Sequence, residues 1–326
     1  MHDEILSRLA GARLEKWNKL ILDAGLDAGT QPERVALIFE GDELIGTGGR
    51  DGNVLKQIAI AEDRQGEDLS ARIISLLRTD AFAEGHDHLF LYTKPMNEFT
   101  FRQLFFYPVV KTSDVLLMED KRGGIEEHLA SYPEAASGEV GAIVMNANPF
   151  TNGHRYLVER AAEECDRVFV LVLSEDLSEI SAQDRLNMVR IGCEDLENVR
   201  VLPSGPYLIS RATFPTYFLK ERDCEDAWCE LDVAIFLKYY APRLGITVRY
   251  VGTEPRSVLT AKYNGILERR LPDGGVRFKE LVRKECCGEP ISASTVRELM
   301  HKGGTEAIEA LVPTTTINYL KTKGLL

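Results

Sequence analysis

The chain has 326 residues, 44% of them hydrophobic and 28% charged, with a formal net charge of −12. That length makes two domains the default, and the acidic balance argues against broad nucleic-acid binding, which needs surplus Lys and Arg to neutralise phosphates. No apolar run reaches the roughly 20 residues needed to cross a bilayer, and Met1 to Ala12 is charged and amphipathic without the apolar core of a signal peptide, so no membrane role and a cytoplasmic location are expected.

Helical periodicity over Ile5 to Leu22 puts Leu6, Leu9, Leu14, Trp17 and Ile21 on one face. Val35–Phe39 and Leu44–Gly48 read as strands joined by the turn Glu40-Gly41-Asp42-Glu43. Val54–Ile60 is a further strand, Leu69–Glu84 a helix, Leu89–Thr93 a strand, Phe99–Phe106 a short helix and Val115–Met118 a strand. A polar joint, a short helical piece (Ile125–Ser131) and the Pro/Ala/Ser/Gly stretch Tyr132–Gly138 follow. The linker is placed there, giving domains at 1–132 and 139–326.

Beyond the linker, strands are expected at Gly141–Met145, Arg167–Leu173, Val199–Leu202, Ile246–Val251 and Phe278–Val282, with helices near Arg155–Glu164, Ala182–Cys193 and Leu231–Tyr240. Short apolar strands alternating with helices imply a parallel sheet covered on both faces. Ligands of such sheets bind outside the carboxyl ends of the strands. The six cysteines form no CxxC pair and no zinc spacing with histidine, and read as reduced thiols.

The most telling segment is Ala142 to His154, an apolar strand that ends in an Asn/Pro/Gly turn and delivers His154 to a helix start. Free N–H donors and partial positive charge at a helix N-terminus make a phosphate site, and Gly153 lets a ligand approach closely. Far downstream lies Ile291-Ser292-Ala293-Ser294-Thr295-Val296-Arg297. Ser292 or Ser294 there reads as a helix cap; alternatively Ser294 and Thr295 hold triphosphate oxygens while Arg297 neutralises their charge. Arg211 and Lys220 lie near Phe214, Tyr217 and Phe218, a run that fits either a pocket wall or core packing. Arg222 interrupts an acidic cluster, and Arg185 is either a surface cation or a brace behind the site.

The order T-x-G-H, then I-S-x-S-T-x-x-R, resembles the HxGH nucleotidyltransferase superfamily, with Thr151 at the first motif position and His154 as the main motif histidine. Gly141 to Leu157, Arg249 to Pro255, Tyr263-Asn264 and Ile291 to Arg297 together resemble the citrate lyase ligase family. The resemblance implies an α/β protein, a GNAT-like α+β domain followed by a Rossmann-like nucleotidyltransferase domain with a parallel sheet. In the GNAT-like half, Arg64 to Leu69 would be the pyrophosphate turn, but Glu67 and Asp68 put negative charge where coenzyme A phosphates would sit.

The resemblance further implies an AMP-forming acid–thiol ligase that uses ATP with Mg2+. Acetate would be activated as acetyl-AMP and passed to the thiol of the phosphoribosyl-dephospho-coenzyme A arm on the citrate lyase acyl-carrier subunit. His154 and Arg297 would be catalytic. Asn148, Phe150, Thr151, Gly153, His154, Ser294, Thr295 and Arg297 would bind ATP or its phosphates, with no protein metal cage. Two other enzyme readings stay open on the residues: an adenylyltransferase acting on a phosphate-bearing acceptor such as phosphopantetheine, and a GNAT acetyltransferase.

Overall fold

A computed structural model describes every residue except 176–177, 209–213, 220–223, 255–257 and 304. Arg211, Lys220 and Arg222 therefore lie outside the described residues. Contacts divide the chain into two compact units, Met1–Gly124 with Pro215–Leu231, and Ile125–Phe214 with Asp232–Leu326.

The first unit is built on a seven-stranded sheet in the order β1-β2-β3-β4-β5-β7-β6. Its elements are β1 (His2–Leu6), α1 (Gly11–Asp23), β2 (Arg34–Glu40), β3 (Glu43–Asp51), β4 (Val54–Ile60), α2 (Leu69–Ala83), β5 (Phe90–Thr93), α3 (Glu98–Gln103), β6 (Tyr107–Lys111) and β7 (Leu116–Glu119). All pairings are antiparallel except β4 with β5. The two sheet faces bury separate clusters. Ile73, Ile74 and Leu77 of α2 pack against Ile38, Ile45 and Leu55, while Trp17 and Ile21 of α1 pack against Val35 and Leu37.

In the first unit two elements depart from the sequence reading. The helix expected from Ile5 begins only at Gly11, because His2–Leu6 pairs antiparallel with β2, from His2 opposite Phe39 to Leu6 opposite Val35. Adjacent apolar residues such as Ile5 and Leu6 fit either period, and pairing decided between them. β6, a strand the reading passed over, contains Pro108 and lies at the sheet edge, where a missing N–H is tolerated.

The second unit carries a five-stranded sheet in the order β10-β9-β8-β11-β12, parallel throughout. Its chain runs α4 (Gly124–Ala130), β8 (Val140–Met145), α5 (Asn152–Glu164), β9 (Arg167–Val172), α6 (Ala182–Gly192), β10 (Val199–Pro203), the end of α7 (Cys224–Ile235, which counts with the first unit up to Leu231), a π-helical turn (Phe236–Tyr240), α8 (Ala241–Leu244), β11 (Val248–Gly252), α9 (Val258–Arg270), β12 (Arg277–Leu281), the β13–β14 hairpin (Glu285–Cys286, Glu289–Pro290), α10 (Ala293–Lys302), α11 (Thr305–Glu309) and α12 (Thr314–Thr322). β8 and β9 read as almost unbroken apolar runs because helices cover both faces. Val158 and Ala161 of α5 and Leu186, Met188 and Val189 of α6 pack on Ile143, Met145, Val168 and Val170.

The strand order reverses between β8 and β11. Their ladder holds only at Val248 with Gly141 and Arg249 with Ala142. Past that point the two strands part toward their carboxyl ends, which is where open parallel sheets form a ligand crevice.

Candidate active site

The turn after β8 is shaped before any ligand enters. Ala147 has a left-handed φ of 51°, and the Asn148–Pro149 bond is cis. Phe150 anchors the turn: its ring is fully buried and would collide with any Cβ at Gly192, 2.6 Å from Cε1. The same ring lies nearly parallel to the His154 imidazole, with centroids 5.9 Å apart. The Phe150 side chain is therefore taken up by packing.

Thr151 and His154 satisfy each other as a reciprocal cap on α5. The His154 N–H donates to Thr151 Oγ1 at 3.3 Å, and the Thr151 N–H donates to His154 Nδ1 at 3.0 Å. With Nδ1 accepting from the backbone, the proton of the neutral ring sits on Nε2. Part of the residue reaches the surface, yet desolvation of the ring and then the nearby Arg283 cation push its pKa down to about 4. His154 is thus a neutral imidazole near pH 7, able to donate through Nε2–H.

The first-turn donors of α5 are partly committed. The Asn152 N–H goes to the Leu311 carbonyl at 2.9 Å and the His154 N–H to Thr151. Among the described residues the Gly153 N–H has no such partner. A Cβ on Gly153 would meet Thr151 Oγ1 at 3.5 Å and Ile291 Cβ and carbonyl oxygen at 3.6 Å. These are ordinary contacts, so the fold itself does not require glycine there.

That contact with Ile291 also joins the two sequence motifs in space. Buried Val296 holds α10 against Ile308, Val312 and Ile317. Arg297, one residue on, sends Nη1 to the Asn148 carbonyl at 2.6 Å. Its Nε lies 3.5 Å from Glu179, which also meets His301 Nε2 at 3.0 Å. Asn148 is buried, and among the described residues its Oδ1 has no donor, as expected of an acceptor completed by water or a ligand. Ser292 occupies the N-cap position of α10 without a side-chain cap bond, and its hydroxyl lies 2.6 Å from that of Ser294. The simple cap reading of these serines is therefore not what the geometry displays. Ser294 is exposed and Thr295 half-buried on the first turn of α10.

Arg185 is the brace. Fully buried, it donates to the carbonyls of Asn146 and Leu173 at 2.9 Å and of Ile180 at 3.1 Å, tying the carboxyl ends of β8 and β9 together. Arg283 was not singled out from the sequence. It follows β12, donates its N–H to Thr253 Oγ1 at 3.2 Å and pairs with Glu254 at 2.5 Å. Its position just past a parallel strand's carboxyl end is the signal that marks it.

Residues 140–320 match the model of the citrate lyase ligase C-terminal domain. The chain is 43% identical to the citrate (pro-3S)-lyase ligase of Klebsiella pneumoniae, an alignment covering 88% of this chain and 86% of that protein.

The chain belongs to the citrate lyase ligase family.

It is 38% identical to the Escherichia coli K12 enzyme of the same name, over 91% of this chain and 87% of that one. Like those relatives it is an enzyme of the ligase class. Among solved structures, Escherichia coli ElaA aligns with a TM-score of 0.32 and 14% identity, covering 37% of this chain and 99% of its own. Among the described residues no helix is long and apolar enough to cross a membrane.

Proposed function

We propose that this ligase activates citrate lyase by acetylating the thiol of the phosphoribosyl-dephospho-coenzyme A arm on its acyl-carrier subunit, through acetyl-AMP. We assign this chemistry to residues 139–326 and a non-catalytic role to the GNAT-like residues 1–132. The observation that carries the reading is the meeting of the β8–α5 turn with Arg297 at the crevice between β8 and β11. Phosphoryl transfer needs fixed donors and cations more than an acid or base, and that is what this crevice offers.

In the first step an acetate oxygen attacks the α-phosphorus of ATP, supplied as its Mg2+ complex, and the bond to diphosphate breaks. His154 Nε2–H donates to an α-phosphoryl oxygen as charge builds there. The Gly153 N–H binds phosphate, with Thr151 holding His154 in its tautomer. Arg297, Ser294 and Thr295 hold the β- and γ-phosphates and the departing diphosphate, and Asn148 and the Phe150 backbone line the turn. Arg283, close enough to lower the His154 pKa, adds a further cation. In the second step the carrier thiol attacks the acetyl carbonyl, a C–S bond forms and AMP leaves.

The test is incubation of the ligase with ATP, Mg2+, acetate and deacetylated carrier subunit. Mass spectrometry should show an acetyl group on the carrier and equimolar AMP. An adenylyl group on the acceptor instead would make the protein an adenylyltransferase and end this reading.

A further inference from the structure

Two sequence segments that so far have no task, those of Arg249 and Tyr263, meet beside β11. Val248 and Tyr250 face the core shared with α5 and α6, so Arg249 between them faces the other side of the sheet. Its rung with Ala142 is the last before β8 and β11 part. Arg249 Nη2 donates to the Tyr263 hydroxyl of α9 at 2.8 Å, and that hydroxyl donates to the Asp232 carboxylate. The side-chain amide of the adjacent Asn264 donates to the Gly252 carbonyl at 3.1 Å. That bond sets this turn of α9 at the carboxyl end of β11, where the crevice opens.

Arg249 is only 2% exposed and Asp232 6%. The guanidinium lies over the Phe236 ring at 4.4 Å and the Tyr263 ring at 5.7 Å. Asp232 stays 3.8 Å from Nη2, beyond hydrogen-bond reach. Among the described residues Nε and Nη1 of Arg249 have no hydrogen-bond partner. The two other buried arginines show what a purely structural role looks like. Arg185 commits Nε to Ile180, Nη1 to Asn146 and Leu173, and Nη2 to Glu175. Arg50 commits Nε to Asp80, Nη1 to Gly52, and Nη2 to Asp80 and Glu84. A buried guanidinium with two unused nitrogens is costly unless a further group fills them.

We infer that Arg249 is the seat of the acid substrate: its unpartnered nitrogens take the carboxylate of acetate where β8 and β11 part, and Tyr263 is the positioning residue that holds the guanidinium. The inference rests on the ligase reading above. A guanidinium fork matches a carboxylate two bonds at a time. One cation with Asp232 nearby suits a monoanion, whereas a triphosphate needs several cations and donors together. The aromatic surroundings suit the acetate methyl group, and their low polarity strengthens the ion pair.

The experiment uses the full-length protein with Mg2+ and α,β-methylene-ATP, which cannot release diphosphate, and reads acetate binding by saturation-transfer NMR at the acetate methyl. Wild type should give saturable transfer. Arg249→Met should weaken acetate binding by about 10- to 100-fold, as for a lost charge-assisted pair. Arg249→Lys, which keeps a cation beside Asp232 should the Met variant fail to fold, should weaken it by about 3- to 10-fold. In ATP–diphosphate exchange the same variants should raise the KM for acetate by those factors and leave the KM for ATP within about twofold. Transfer that does not saturate in wild type, or acetate affinity unchanged in the folded variants, would overturn the inference whether or not exchange occurs. An equal rise in both KM values would do the same, by making Arg249 structural only. Acetate binding that depends on Arg249, with no acetate-dependent exchange in wild type, would end the ligase reading and leave the carboxylate seat standing.

Discussion

Each unit has a sheet in which two neighbouring parallel strands pair briefly and then part, and the two gaps have opposite chemistry. Between β8 and β11 the gap opens beside a capped helix start, a neutral histidine and Arg297, with Arg283 near. Beside β4 and β5, whose ladder holds only at Val54 with Phe90 and Leu55 with Leu91, the Tyr217 hydroxyl donates to the Tyr92 carbonyl of β5. The nearby helix α2 starts from Asp68, at a left-handed φ of 55° and without a side-chain cap, and Arg64 there is already taken by carboxylates. A strand–turn–helix alone therefore does not make a phosphate site. What sets the β8–α5 turn apart is a helix-start donor, the Gly153 N–H, that has no partner among the described residues.

The sharpest way to break this contrast is His154→Ala. Loss of a donor aimed at developing charge should lower kcat by about 10²–10³-fold. Removing the reciprocal cap should cost about 1 kcal/mol of stability, so a thermal melt should confirm a folded variant. Turnover at the wild-type rate in that folded variant would remove His154 from the mechanism. Next comes Arg297→Ala, expected to lower kcat/KM for ATP by about 10- to 100-fold, as for a lost charge-assisted contact. If steady-state kinetics showed no change, α10 would be structural only.

Arg283→Met should raise the KM for ATP by about 3- to 10-fold and, in an NMR titration, move the His154 pKa upward from about 4. An unmoved titration would place Arg283 too far away to act. The same depressed pKa has a stability consequence. The unfolded ring titrates near the ordinary 6.5, the folded one near 4, so the unfolded chain binds the extra proton between those values. The stabilisation from neutral His154 is complete above pH 6.5 and is lost as pH falls through 4. Denaturant titrations of His154→Asn across that window should show a shallower acid dependence than wild type; an identical slope would contradict it. At the small end, Asp68→Gly in the first unit should change ATP-dependent turnover by less than about twofold, as for a surface change away from the chemistry.

Much of the architecture was legible because periodicity and turn chemistry agreed. Val54–Ile60 was read with the bounds that the structure gives, and the alternation around β8, α5 and β9 was evident from unbroken apolar strands and a Thr/Gly helix start. Pairing partners were not legible. β1 looked like helix because Ile5 and Leu6 fit both periods, and β6 hid behind Pro108. In the candidate site, the sequence singled out the turn residues Asn148, Phe150, Thr151, Gly153 and His154 and the downstream Ser294, Thr295 and Arg297, but not Arg283. Arg283, just past β12, bonds Thr253 and Glu254 just past β11, a pairing that only the sheet order brings together. Arg185 looked equally suited to the surface until its partners on β8 and β9 were seen. Tyr217 stood in an aromatic run with no sign that it would bond to β5 of the first unit.

The most direct test of the central claim is ATP–diphosphate exchange with Mg2+, with and without acetate, before any carrier is added. Exchange that requires acetate is the predicted result, since it reports reversible formation of acetyl-AMP at the β8–β11 crevice. No exchange with acetate even when the carrier subunit is present, alongside AMP transfer to phosphopantetheine, would contradict the account.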